Sequence, residues 1–300
     1  MTNTFLITGA TGKQGGAAID ALLSATGSSD ITIFALTRNV ESPAAEKLAK
    51  KSDKIKLLQG DLNDCPAIFE AAPQPIKSVF CVTMPNMGFG NAGVSEEEKG
   101  MAFIDASIQH GVEHFVFTSV DRHGEDSDND PTNIPHFISK ANIEKHLKEK
   151  SAGTQMSWTI LRPVAFMENF APGLVGKIFP TAWCASLAPT TKLQLVATAD
   201  IGYFAAQALL NPKDYNGRAI SLAGDELTFG EANEIFESRL GKDIPRTFNF
   251  VGSTLLWAIK DVGLMFSWFE ERGYAADIKA LRKEHPGLQS FGDWLKTSGL

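Results

Sequence analysis

Two kinds of pattern alternate along roughly the first 160 residues. Short β-branched and apolar runs ("TFLITG", "ITIFALT", "KIKLLQG", "KSVFCVT", "EHFVFTS" and "SWTILRP") are separated by longer stretches with helical spacing. The helical stretches are Gln14 to Ser24, Pro43 to Lys50, Cys65 to Ala71, Glu96 to His110 and Pro135 to Glu149. This alternation predicts an α/β chain with a parallel sheet and crossover helices. Several runs are apolar at successive positions, so their strands are expected to be buried on both faces, as a doubly wound sheet requires. The connection "DRHGEDSDNDPTNIP" is acidic and rich in turn formers, and it reads as a surface loop, with Glu125 to Asp130 either a plain solvated connection or a mobile element.

After Pro163 the rhythm changes. A short segment "VAFMENFAPGL", helices over "ADIGYFAAQALLN" and "TFGEANEIFESRL", a strand over "RAISLAG" and several aromatic-rich helical pieces follow. The division expected is residues 1–162 for the sheet and 163–300 for a smaller, mostly helical C-terminal region. No Pro/Gly/Ser linker separates them, so the two are expected to interleave.

Composition narrows the partners. A formal charge of -7 and a pI near 5.4 do not fit a surface that neutralises nucleic-acid phosphates or an anionic bilayer. A small molecule or another protein is the expected partner. Cys65, Cys81 and Cys184 are far apart and lack metal-ligand spacing, so neither a disulfide framework nor a metal site is expected, and a reducing, cytoplasmic setting fits. The start "TNTFLITGA" reads as a strand and not as a signal peptide. The apolar stretch "STLLWAIKDVGLMFSWFEERGY" is broken by Lys260 and Asp261, which argues against a membrane span.

The chemistry starts at "FLITGATGKQGGAAIDALL". Gly9, Gly12 and Gly15 follow the first strand and open a helix. Glycines there allow a tight turn and close approach of backbone N–H groups to a pyrophosphate, which predicts a dinucleotide site. The second strand ends in "LTRN", with Arg38 where an NAD-preferring chain places a carboxylate, so NADP(H) is the expected cofactor. Asp61, in "GDL", has two readings: acceptor for an adenine amino group, or N-cap of the next helix. Farther on, "IPHFISKANIEKHL" puts His136 and Lys140 one helical turn apart on one face.

With "GATGKQGG", "LTRN", "GDL", "FTSVDR", "HFISK" and "LRPVAFMEN" in order, the chain resembles the NmrA-like branch of the short-chain dehydrogenase/reductase superfamily. The resemblance implies a Rossmann fold in which Gly9, Thr11, Gly12, Lys13, Gln14 and Gly15 form the pyrophosphate loop. It assigns Arg38 to the 2′-phosphate and Asp61 with Leu62 to the adenine. Thr83, Met84 and Pro85 would lie beside the nicotinamide ribose, Lys140 would bind the ribose hydroxyls, and Pro163 with Val164 would support the nicotinamide. Reductases of the wider superfamily carry Tyr four residues before the Lys, and here that position holds His136. The resemblance thus implies a retained cofactor role for Lys140 and a proton donor that is missing or altered. His136 is a candidate acid or base in its place, and Ser119 stands at the substrate-orienting position.

Two functions fit the resemblance. One is an NADP(H)-dependent biosynthetic enzyme acting on a bulky apolar molecule whose hydride acceptor is already activated, an iminium or a conjugated alkene, and which templates a cyclisation. Phe166, Met167, Asn169, Phe170 and Trp257 are candidate substrate contacts, with Trp183 and Phe266 as further apolar wall. The other is a redox sensor that binds the dinucleotide without turnover and regulates transcription through a protein partner, with a nuclear location and no direct DNA contact.

Overall fold

The computed structural model describes residues 3–26, 30–84, 94–173, 175–247 and 260–300. The chain divides into two compact units that interleave in sequence: Met1–Ser119, Ser139–Leu161 and Ile201–Ile220 form one, and Val120–Ile138, Arg162–Asp200 and Ser221–Leu300 the other.

The first unit is built on a parallel sheet. Its strands are β1 (Asn3–Ile7), β2 (Ile31–Thr37), β3 (Ile55–Gln59), β4 (Ser78–Val82), β5 (His114–Thr118) and β6 (Ser157–Pro163), and the sheet of seven strands ends with β9 (Arg218–Leu222). The order is β3-β2-β1-β4-β5-β6-β9, with every adjacent pair from β3 to β6 parallel. All residues of β4 and β5 are buried, as their unbroken apolar runs predict. Between the strands run α1 (Lys13–Thr26), α2 (Pro43–Ala49), α3 (Cys65–Glu70), α4 (Glu96–Gln109) and α5 (Pro135–Ser151). Local sequence starts them: Ser42 caps α2 ahead of Pro43, Asp64 caps α3, and Ser95 with Glu98 makes a capping box for α4. Leu6, Phe34, Val79, Phe103, Phe115, Ile143 and Ile160 share one buried core.

The chain builds outward from β1 to β3 and then returns to place β4 on the other side of β1. At this reversal the two crossovers leave in opposite directions, and ligands of such sheets bind at the carboxyl ends of the strands there. Thr8 holds that end together. Its hydroxyl accepts from Val82 N at 2.6 Å and donates to Val82 O at 3.0 Å, extending the β1–β4 junction by one side chain.

The second unit has its own three-stranded sheet, β10-β8-β7, from β7 (Ala165–Phe166), β8 (Leu193–Val196) and β10 (Asp225–Leu227). Helices Val175–Ser186, Phe229–Leu240, Lys260–Glu271, Ile278–Glu284 and Phe291–Thr297 accompany it. Its core is aromatic, with Phe170, Trp183, Phe236, Phe266, Trp268 and Phe291 all buried. The acidic connection lies at the surface and is tied down by arginines. Buried Arg122 donates to the carbonyls of Val120, Ser127 and Asp130, Arg162 Nη2 reaches Asp128 at 2.7 Å, and Arg272 Nη2 reaches Asp126 at 2.6 Å. Arginines from distant segments neutralise the acidic run and fix it in a 3-10 turn, Gly124–Asp128.

One buried histidine sets an acid limit on the first unit. His114 Nδ1 lies 2.7 Å from Ser157 Oγ and Nε2 3.1 Å from Thr159 Oγ1, and burial pushes the imidazole down to about 4. The unfolded chain therefore takes up this proton first as pH falls. The contribution of His114 is complete above about pH 6.5 and is lost toward pH 4, by at most about 3 kcal/mol. His114→Asn is expected to flatten the fall in urea midpoint across that window; an unchanged slope would assign acid sensitivity elsewhere.

Candidate cofactor site

β1 delivers the chain into a turn whose glycines have separate tasks. Gly9 has φ +57, a left-handed conformation, and a Cβ there would stand 3.3 Å from Val82 Cβ. Gly12 N donates to Gly9 O at 2.8 Å and closes the turn. At Gly15 the constraint is space: a Cβ would lie 2.3 Å from Gly9 O and 2.8 Å from Thr8 O. Thr11, Gly12 and Lys13 are exposed where the 14-residue α1 begins, so the turn and the helix start lie at the surface. Gln14 is half-buried, and Thr118 Oγ1 donates to its Oε1 at 2.6 Å. That bond leaves the amide nitrogen as the end of Gln14 available to an anion. A cradle that a methyl group would fill, ringed by donors, fits a dinucleotide pyrophosphate.

Arg38 is exposed immediately beyond β2, and Gly60 N donates to Thr37 O beside it. Asp61 and Leu62 are half-buried. Of the two readings of Asp61, the helix cap falls to another residue: Asp64 accepts from Ala67 N and starts α3, while Asp61 Oδ1 accepts from Asn63 N at 2.9 Å. Thr83 is buried and Met84 exposed at the end of β4; Pro85 lies outside the described residues.

Lys140 is nine-tenths buried on α5. Its Nζ lies 2.8 Å from Thr83 Oγ1, 3.3 Å from Thr83 O, 3.2 Å from Thr118 O and 3.0 Å from Glu96 Oε1, and 5.1 Å from the centroid of the Phe117 ring. An ammonium has three protons, so these acceptors saturate it. Glu96 is the residue that sequence reasoning missed. The signal was present: Glu96 stands four residues before Gly100 and seven and eight before Phe103 and Ile104, on the buried stripe of α4. One turn beyond Lys140, buried Glu144 accepts from the Ser119 hydroxyl. Ser119 is therefore engaged by the sheet's own helix.

His136 lies one turn before Lys140 on α5, half-buried, with its ring edge-on to Phe137 at 4.7 Å. The boundary between the two units falls between Ile138 and Ser139, so the pair read together from the sequence is divided between them. In the second unit, Pro163, Val164, Met167 and Phe170 are buried, Phe166 and Asn169 half-buried, and Trp257 lies outside the described residues. Met167, Phe170, Trp183 and Phe266 pack in the aromatic core. Among the described residues no group of three or more His, Cys, Asp and Glu could hold a metal ion, and no helix is long and apolar enough to cross a membrane.

A parallel sheet with this strand order and a glycine turn at its reversal point defines a Rossmann-type protein. The chain belongs to the NmrA-like family, whose model matches residues 1–286. An NmrA-like family domain-containing oxidoreductase of Aspergillus hancockii, hkm9, is 28% identical over 256 residues, which span 80% of this chain and 73% of the relative. The fold is similar to that of the Citrobacter sp. triphenylmethane reductase complexed with NADP(H), with a TM-score of 0.72 at 19% identity over 99% of both chains. It is equally similar to Nmra, a negative transcriptional regulator in complex with NAD, with a TM-score of 0.73 at 15% identity over 98% of this chain and 94% of the regulator.

Proposed function

We propose that this chain is an NADP(H)-dependent oxidoreductase whose substrate is a bulky apolar molecule with an activated hydride acceptor, an iminium carbon or a conjugated alkene. The observation that carries the proposal is the state of Lys140. In the reductase pattern Lys assists a Tyr that gives a proton to substrate oxygen; here the Tyr position is His136, and the Lys140 ammonium is saturated by Glu96, Thr83 and Thr118. An acceptor that needs no proton on oxygen suits such a site. The family relative named an oxidoreductase and the Citrobacter reductase support this reading. A folded substrate held near its own nucleophile would also favour cyclisation.

The bound dinucleotide would supply the hydride, with the Gly9–Gly15 turn and Gln14 on its pyrophosphate and Arg38 on its 2′-phosphate. Asp61 and Leu62 are assigned to the adenine, Thr83, Met84 and Pro85 to the nicotinamide ribose. Pro163 and Val164 are proposed to support the nicotinamide, and Phe166, Met167, Asn169, Phe170 and Trp257 to meet the substrate. A cationic triarylmethane dye is the first probe: hydride adds to its central carbon, the dye loses its charge and colour, and NADP+ forms without proton uptake. Bleaching that tracks NADPH oxidation supports the enzyme. Tight NADPH binding with no turnover of the dye or of any iminium or enone tested would favour the second reading, a dinucleotide sensor acting through a protein partner. The similarity to Nmra, as close as that to the reductase, is what favours that reading.

Arg38→Ala is expected to weaken NADPH binding about 10- to 100-fold, the range of one or two charge-assisted hydrogen bonds, and to leave NADH binding unchanged. Fluorescence titration with both cofactors checks it; a variant that still prefers NADPH would remove Arg38 from cofactor selection.

A further inference from the structure

Glutamates in the first turn of a helix ordinarily face water and interact with the helix dipole. Glu96 does not: it is 4% exposed. Its Oε1 accepts from Thr83 Oγ1 at 2.8 Å and from Lys140 Nζ at 3.0 Å, and its Oε2 is buried with no hydrogen-bond partner among the described residues. A carboxylate at this depth is tolerable only against a counter-charge, because desolvation of a lone charge far exceeds the value of one hydrogen bond. The counter-charge is Lys140.

We infer that Glu96 is the positioning residue of Lys140, fixing the ammonium at the carboxyl ends of β4 and β5; its role in cofactor affinity rests on the dinucleotide-binding reading above. The geometry is specific. Glu96 comes from α4, Thr83 follows β4, Thr118 ends β5 and Lys140 comes from α5, so a single ammonium ties four elements together. The other titratable neighbours do not substitute for Glu96. Burial pushes the nearby Cys81 thiol up to about 12, so it stays neutral, and Glu144, one turn along α5, accepts from Ser119. Phe117 offers Lys140 only its ring face.

Glu96→Gln keeps the shape and the acceptor and removes the charge. Without the carboxylate the ammonium keeps only the oxygens of Thr83 and Thr118 and loses its fixed position. The expected result is about tenfold weaker NADPH binding near pH 7, the equivalent of one charge-assisted hydrogen bond. Glu96→Asp should restore part of the affinity, which a loss of packing alone would not allow. A second readout needs no cofactor. In urea unfolding the losses of Glu96→Gln and Lys140→Met should fall short of additive in the double variant, because both act on one pair. A Glu96→Gln protein with the parent's affinity, or additive losses, would overturn the inference. A parent that binds no NADPH would overturn the dinucleotide reading, while the unfolding cycle would still decide the pairing of Glu96 with Lys140.

Discussion

Gly15→Ala is expected to abolish measurable NADPH binding and to destabilise the chain by about 1–3 kcal/mol or more, the range for forcing a methyl group into filled space. The added Cβ would stand 2.3 Å from Gly9 O and 2.5 Å from Gly9 C, both backbone atoms of the turn proposed to meet the phosphates. Neither can rotate away, so the helix start or the turn itself must shift. Gly12→Ala should be milder, since its Cβ would stand 3.2 Å from Gly9 O. Gly230 supplies the control: it is exposed in the helix Phe229–Leu240, its Cβ would meet nothing closer than Thr228 Oγ1 at 3.9 Å, and Ala there should stabilise by up to about 1 kcal/mol. Isothermal titration with NADPH and urea unfolding of the three variants give the ranking. If Gly15→Ala bound NADPH like the parent, the turn would not be the phosphate site.

The first unit was legible because its signals are local. Strands such as "SVFCV" are apolar at successive positions, and helices such as α4 announce themselves with "SEEE", a capping box ahead of an amphipathic run. The glycine turn was equally plain, since a strand, three spaced glycines and a helix occupy one continuous segment. What stayed hidden depends on distant partners. The strands Ala165–Phe166, Leu193–Val196 and Asp225–Leu227 are too short to show a period, and only their pairing with one another reveals them. Asp61 and Asp64 both precede α3, and only geometry assigns the cap to Asp64. The arginines that tie down the acidic connection, Arg162 and Arg272, lie far along the chain from it. Glu96 hid inside a run of three glutamates, of which Glu98 is exposed and Glu97 half-buried, accepting from Asn142.

Lys140→Met is expected to destabilise the fold by about 3–5 kcal/mol, the usual consequence of leaving one half of a buried ion pair without the other. Glu96→Leu should do the same from the other side, because the ammonium it leaves is similarly enclosed. The double variant is the informative one. With both charges gone, the site holds apolar side chains of similar volume, and buried pairs replaced in this way often cost nothing or gain stability. Here Thr83 and Thr118 lose a donor to their carbonyls, so a residual cost of about 1–3 kcal/mol remains. The double variant should therefore be more stable than either single one, a coupling that urea unfolding reads directly as a departure from additivity. NADPH binding should not recover with stability, because on the proposed reading a ribose hydroxyl takes the place of one of the acceptors around Lys140. Recovery of both together would make the lysine a structural strut alone; additive losses would mean that Glu96 and Lys140 act independently.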